Sequence, residues 1–391
     1  MVPPVDRLRL VGVPGSNRVM AGELSRLVRR GLPEVRLEEP KKQGLGSVTY
    51  PFDPRLGWLA VQHHRTSARV LWDLYETRAA RLEPLYDELL RAASEDRRPW
   101  CWDGARLSVE AYGVEEFAAG ERQIVGTVKN ALIDGAASRR MALTVEPEHP
   151  ELRVQVRLYE GTLVVSLDLS GRPMHMRGYR MEAGDAPLRE DLAALLVMLA
   201  RYDARTEALF DPLAGSGTIA VEAAFLAKGR PVWMSGRKPD AERHPLFGAL
   251  ARPKPLFADT TPVLFVSEID RKLRETMERT FLTTGIERDV AILGGDFRNI
   301  DPKLVVERAR ERGVERGVIV TNPPYGERMG SPDALRALYR DLGAWCWELR
   351  GWRCAFLVAN PEFLEAFGGR PRIAKPLRNG PLRGYFYLFE G

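Results

Sequence analysis

The chain has 391 residues, 45% hydrophobic and 28% charged, with a net charge of +5 at neutral pH. That length exceeds one ordinary core and predicts two or three domains, while the composition is that of a soluble globular protein. No apolar run is long enough to cross a bilayer, and the opening "MVPPVDRLRLVGVPG" lacks the h-region of a signal peptide. Three cysteines, Cys101, Cys346 and Cys354, have neither a disulfide-framework nor a metal-ligand spacing, and of five histidines only His63 and His64 adjoin. A cytoplasmic, metal-free, monomeric protein is expected.

In chain order, residues 1–65 read as a small α+β unit. The strand-like "LRLVGV" is followed by an amphipathic helix, "AGELSRLVRRGL", and "KKQGLGSVTY" returns to strand character. Residues 66–180 form a second such unit. "ARVLWDLYETRA" predicts a strand, "LEPLYDELLRAA" a helix and "ARLSVEAYG" a strand. In "GERQIVGTVKNALIDGAA" the apolar Ile124, Val128, Ala131 and Leu132 recur with a helical period. "LRVQVRLYEGTLVVSLDLSG" reads as a hairpin turning at Glu160-Gly161. From "APLREDLAALLVMLA", a helix with Pro187 at its start, strands alternate with helices to the end: "ALFD", "PVLFV", "VAILG", "GVIVT", "RCAFLVAN" and "GYFYLF". That alternation predicts a doubly wound, parallel sheet. Residues 230–262, rich in proline and basic residues, interrupt it and read as an inserted loop over the sheet's ligand edge.

Two basic stretches stand out. "RPMHMRGYR" carries Arg172, Arg177 and Arg180, with Arg189 just beyond, and "RPRIAKPLRNGPLR" carries Arg372, Lys375, Arg378 and Arg383 among its five basic residues and has no acid. Both mix arginine with glycine and proline, which suits exposed phosphate-contacting loops as well as an ordinary solvated surface.

"ALFDPLAGSGTIAVEAA" joins a strand ending at Asp211 to a glycine turn and a helix starting at Thr218. Gly215 and Gly217 permit a tight turn and close ligand approach to backbone N–H groups. The dinucleotide G-x-G-x-x-G and the phosphate-binding G-K-[ST] are both missing, so an acid-led turn remains, suited to a ligand bearing positive charge. The next strand ends in Glu268 and Asp270, where a carboxylate can hold ribose hydroxyls or cap the following helix. A later strand, "VIVT", stops at Asn322-Pro323-Pro324-Tyr325, a stiff turn ending in an aromatic residue.

"DPLAGSGT" and "NPPYG" resemble the two signature motifs of class I S-adenosylmethionine-dependent amino-methyltransferases. Together with "RGYR…APLRE" and "RNGPLRGYFY", they look like the THUMP-domain RNA methyltransferases that modify the 2-amino group of guanine, over about residues 100–391. The resemblance implies an α/β fold: a Rossmann-like class I methyltransferase domain with a doubly wound, mostly parallel sheet (181–391), preceded by an α+β ferredoxin-like domain (1–65) and a THUMP RNA-binding domain (66–180). It implies S-adenosylmethionine as cosubstrate, held by Asp211, Pro212, Ala214, Gly215, Ser216, Gly217, Thr218, Glu268, Ile269, Asp296, Phe297 and Asn322. Glu268 would take the ribose, Asp296 the adenine amine and Phe297 the adenine face, with core packing the competing role for Phe297. Asn322, Pro323, Pro324 and Tyr325 would be catalytic. RNA, ribosomal or transfer, would be held by Arg172, Arg177, Arg180, Arg372, Lys375, Arg378 and Arg383. Two other readings survive: a DNA adenine-N6 methyltransferase, whose target amine needs the same chemistry, and a non-catalytic RNA-binding protein with a methyltransferase-like shell.

Overall fold

The computed structural model describes residues 4–42, 44, 46–179, 188–234, 236–248, 250, 254–256, 260–324, 331–379 and 382–390. Two compact units emerge: Met1–Val11, Met20–Met174 and Lys238–Pro253 form one, and Gly12–Val19, His175–Arg237 and Lys254–Gly391 the other.

In chain order the first unit holds β1 (Pro4–Gly12), α1 (Asn17–Gly31), β2 (Lys41–Lys42), β3 (Ser47–Pro51), α2 (Pro54–His63), β4 (Ser67–Thr77), α3 (Leu82–Glu95), β5 (Arg106–Tyr112), α4 (Glu121–Ser138), β6 (Thr144–Val145), β7 (Leu152–Tyr159) and β8 (Thr162–Asp168). Among the described residues its strands form one eight-stranded sheet, ordered β2-β3-β1-β4-β8-β7-β5-β6. The boundary expected at residue 65 therefore falls inside a continuous sheet. A buried ion pair helps explain why: Arg9 on β1 donates from Nε and Nη2 to Asp73 on β4 at 3.0 and 2.6 Å, and Ser166 on β8 donates to the same carboxylate at 2.8 Å. Charges this deep require each other, so β1 and β4 belong to one core. The four apolar residues of α4 named above are all buried. Close packing of α4 on α3 depends on Gly135, where a Cβ would stand 2.5 Å from that of Ala93. The β7–β8 hairpin turns at Glu160 and Gly161, with φ of 47° and 75°, the left-handed pair that a two-residue turn demands.

Residues 230–262 do not behave as one inserted loop. Residues 238–248, including the short α7 (Pro245–Gly248), belong to the first unit. The Ala241 N–H donates to the Leu169 carbonyl at 3.0 Å. His244 meets Trp102 edge-on at 5.0 Å and Phe247 stacks with Trp58 at 6.2 Å. Its aromatic side chains decide its place by burying apolar area, which outweighs its loop-like composition.

The second unit holds α5 (Glu190–Leu199), β9 (Glu207–Asp211), α6 (Thr218–Lys228), β10 (Val263–Ser267), α8 (Arg271–Thr284), β11 (Val290–Gly294), α9 (Pro302–Glu311), β12 (Arg316–Thr321), α10 (Pro332–Trp347), β13 (Arg353–Val358), α11 (Phe363–Phe367), β14 (Ile373–Asn379) and β15 (Leu382–Glu390). Its described strands are ordered β11-β10-β9-β12-β13-β15-β14, parallel from β11 through β13, with β15 antiparallel to both β13 and β14. Alternate strand residues feed cores on opposite faces. Leu209, Leu264, Val318 and Val320 pack with α5 and α6, while Phe210, Phe265, Ile319 and Phe356 pack with α9 and α10. From β9 the chain winds outward to β10 and β11, then crosses back to β12 on the other flank of β9. That reversal opens a crevice at the carboxyl ends of β9 and β12, where such sheets take ligands.

Residues 370–383 depart from the loop expected of them, since 373–379 and 382–383 are paired strand residues of β14 and β15. An edge strand exposed on one face carries polar residues that hide its period.

Candidate functional site

Both motifs reach the crevice. Register sets Ile319 on β12 beside Phe210 on β9, so Asp211 and the Thr321–Asn322 step leave the sheet side by side. After Asp211 the turn is stitched to β10: Ser267 Oγ donates to the Pro212 carbonyl at 2.8 Å, and the Ala214 N–H donates to the Ser267 carbonyl at 3.0 Å. Gly217 caps α6 with φ 77°, and a Cβ there would stand 2.8 Å from Met277 and Phe281 on α8. Only glycine satisfies both the conformation and the contact. Above Gly215 the space is open, with no heavy atom within 4 Å of where a Cβ would point. Ser216 Oγ lies 3.3 Å from Thr218 Oγ1 at the start of the helix.

Glu268 is held in place by backbone. Its Oε2 accepts the Gly215 N–H at 2.7 Å and its Oε1 accepts the Asp270 N–H at 2.9 Å, leaving the carboxylate lone pairs not so engaged for hydroxyl donors. Asp270 is the N-cap of α8, accepting from Lys272 and Leu273. Between the two acids Ile269 is 64% exposed, an apolar side chain presented at the ligand edge.

Asp211 is fully buried. Burial pushes its carboxyl up to about 7 and the nearby Glu268 charge adds to the rise, against the Thr321 hydroxyl and the Leu213 N–H, which favour ionisation. A cationic group arriving beside it would restore the charged form.

One expected cofactor contact, Phe297, is not available as read from sequence. Phe297 is 1% exposed and meets Trp345 edge-on at 6.1 Å in the core, so it offers no face to an adenine. Asp296 caps the turn Phe297–Asn299, and Arg298 donates to its two oxygens from Nε at 3.0 Å and Nη2 at 2.6 Å. That pairing holds the Asp296 carboxyl below its ordinary range. The turn geometry that caps the helix sends Phe297 inward.

At the end of β12, Asn322 Oδ1 is buried and has no hydrogen-bond partner among the described residues. A buried acceptor left unpaired costs about 1–3 kcal/mol, which an arriving donor would recover. The Pro324 carbonyl is fixed by Tyr339 on α10, whose hydroxyl donates to it at 2.8 Å. Tyr339 is itself fully buried, its ring edge-on to Phe363 at 5.0 Å. Sequence reasoning missed Tyr339 because it sits on the apolar face of a helix, where an aromatic reads as core. Tyr325 lies outside the described residues.

The basic residues divide. Arg177 is fully buried and paired with Glu222, which also accepts the Tyr179 hydroxyl at 2.7 Å; it is structural and cannot meet a phosphate. Arg372 is paired with Glu390. Lys375 is half-buried, and burial together with the neighbouring Arg18 lowers its pKa. Arg172, Arg378 and Arg383 are exposed, and Arg180 lies outside the described residues. Among the described residues no cluster of His, Cys, Asp and Glu could hold a metal, and no helix is long and apolar enough to cross a membrane.

A seven-stranded sheet of this order, with an acid-led glycine turn and an Asn-Pro-Pro turn flanking its reversal point, defines a class I methyltransferase domain. The chain belongs to the RMKL-like methyltransferase domain family, whose model matches residues 177–387, and the cosubstrate is S-adenosylmethionine. The ribosomal RNA large subunit methyltransferase K/L of Marinobacter nauticus is 31% identical over 361 residues, covering 85% of this chain and 47% of that relative. This chain thus spans about half the length of that curated relative. A predicted N6-adenine-specific DNA methylase from Listeria monocytogenes superposes with a TM-score of 0.81 at 22% identity, over 99% of this chain and 96% of its own. SMU.472, assigned as a methyltransferase and complexed with SAH, superposes at 0.79 with 21% identity, over 99% and 98%. These two likenesses show the fold.

Proposed function

We propose that this chain methylates the exocyclic 2-amino group of a guanine in RNA, ribosomal or transfer. The observation that carries the chemistry is the buried Asn322 Oδ1, unpaired among the described residues, beside two prolines, one with its carbonyl already clamped. An amine on an aromatic ring is a weak nucleophile because its lone pair is delocalised. Asn322 Oδ1 and the Pro323 carbonyl accept the two amine hydrogens, which turns the lone pair out of conjugation and stabilises the charge developing on nitrogen. Each such bond to a charging group is worth roughly 1.5–3 kcal/mol. The bound cosubstrate supplies an electrophilic methyl group on a sulfonium. Nitrogen bonds to that carbon as the carbon–sulfur bond breaks, and the product cation loses its proton to solvent. Glu268 holds the ribose, Asp211 faces the cationic methionine end, and Ile269 covers the adenine in place of Phe297.

The RNA substrate is supported by the name of the curated relatives and by the resemblance of residues 66–180 to a THUMP module. We assign RNA binding outside the pocket to the first unit and to Arg172, Arg378 and Arg383. The test is Asn322→Ala, assayed for methyl transfer and, by calorimetry, for SAH affinity. The expected result is loss of transfer with SAH affinity retained. A fully active variant would overturn the mechanism.

A further inference from the structure

Tyr385 on β15 is 48% exposed, an unusual position for a tyrosine in a sheet whose neighbours are buried. Its ring lies parallel to Tyr387 (5.8 Å, 8°), which lies parallel in turn to Phe363 (6.1 Å, 4°). This ladder runs from the core and ends in an open aromatic face. Register fixes its height. Tyr385 pairs with Val358 at the end of β13, and Thr321 on β12 pairs with Phe356, so Tyr385 is level with Pro323 and two strands away. Two strand spacings amount to about 10 Å.

The same hairpin face carries charge. Arg383 is two residues from Tyr385 on β15, and Arg378 is its direct partner on β14. Both are exposed, and neither has an ion pair among the described residues. Like charges placed directly opposite destabilise a strand pair. A sheet edge that keeps two such arginines gains when an anion joins them. Pro376, opposite Tyr385, removes an N–H donor from the edge strand and blocks strand addition as an explanation.

We propose that Tyr385, Arg378 and Arg383 form a binding site for the nucleotide adjoining the target in single-stranded RNA. Its base stacks on Tyr385 and its phosphates meet the two arginines. The inference rests on the RNA reading above and adds a contact outside the reacting base. Stacking is sequence-tolerant, so the site holds the strand in place while the Asn322 turn selects the amine.

The test compares the full chain with Tyr385→Ala, Tyr385→Phe and the double variant Arg378→Ala/Arg383→Ala. RNA affinity, SAH affinity and methyl transfer are measured on a substrate RNA, and on copies made abasic at one flanking position at a time. Tyr385→Ala is expected to weaken RNA binding at least about fivefold while Tyr385→Phe does not. That difference should vanish on one abasic RNA, and SAH affinity should be unchanged throughout. The double variant should lower the slope of log affinity against log salt by about 1.4. A Tyr385→Ala variant that methylates RNA with unaltered affinity overturns this inference and leaves the RNA reading standing. Preference for duplex DNA by the unaltered chain overturns both.

Discussion

Replacing Tyr339 by phenylalanine removes one hydroxyl and leaves the ring edge-on to Phe363. The lost bond is the 2.8 Å contact that fixes the Pro324 carbonyl, one residue beyond the carbonyl assigned to the target amine. Such a bond between neutral groups contributes about 0.5–1.5 kcal/mol, and if that restraint is expressed in the reacting geometry the rate falls about twofold to tenfold. A change felt only in the packing around Tyr339 would lower stability without separating kinetic steps. We therefore expect kcat for methyl transfer to fall in single turnover at saturating cosubstrate, with SAH affinity unaltered because Glu268 and the Gly215 turn are untouched. The melting temperature should drop by only a few degrees. Unchanged single-turnover rates, or SAH affinity falling in step with the rate, would refute the role assigned to Tyr339.

Other outcomes follow from the same geometry. Glu268→Ala should weaken SAH binding strongly by calorimetry while leaving the fold intact, since its partners are backbone N–H groups at an exposed edge. Asp211 is raised from an ordinary 3.8 to about 7, so the folded chain holds a proton that the unfolded chain has released. Stability without cosubstrate should therefore fall as pH rises from 4 to 7, SAH affinity should rise over the same window, and Asp211→Asn should flatten both in melting and binding curves. Arg177→Ala removes the cation facing the buried Glu222 carboxylate, at a cost of about 3–5 kcal/mol. Its urea midpoint should collapse, whereas a selective loss of RNA affinity in a stable variant would restore the original reading of that residue.

The sequence disclosed what depends on local pattern. The parallel strands were readable because they are apolar runs bounded by breakers, and the glycine turn because its spacing demands particular backbone. The β14 strand was not, since on an edge its charged and proline residues erase the alternation. Helix α2 escaped notice too: "PRLGWLAVQH" buries most of its faces, which flattens the amphipathic signal even though Asp53 and Pro54 mark its start. Arg177 looked like a phosphate ligand because its partner, Glu222, lies 45 residues away in sequence. Phe297 was misplaced by the same limit, as nothing local tells that a short capped turn directs it onto Trp345. Residues 238–248 were assigned by composition to a loop, while tertiary aromatic contacts decide their place.

The most direct measurement offers the purified chain labelled S-adenosylmethionine with ribosomal RNA, transfer RNA and duplex DNA in parallel, then identifies the methylated nucleoside by mass spectrometry. The account predicts N2-methylguanosine from RNA and no label in DNA. Methyladenine from DNA, or no label in any of the three, would contradict it.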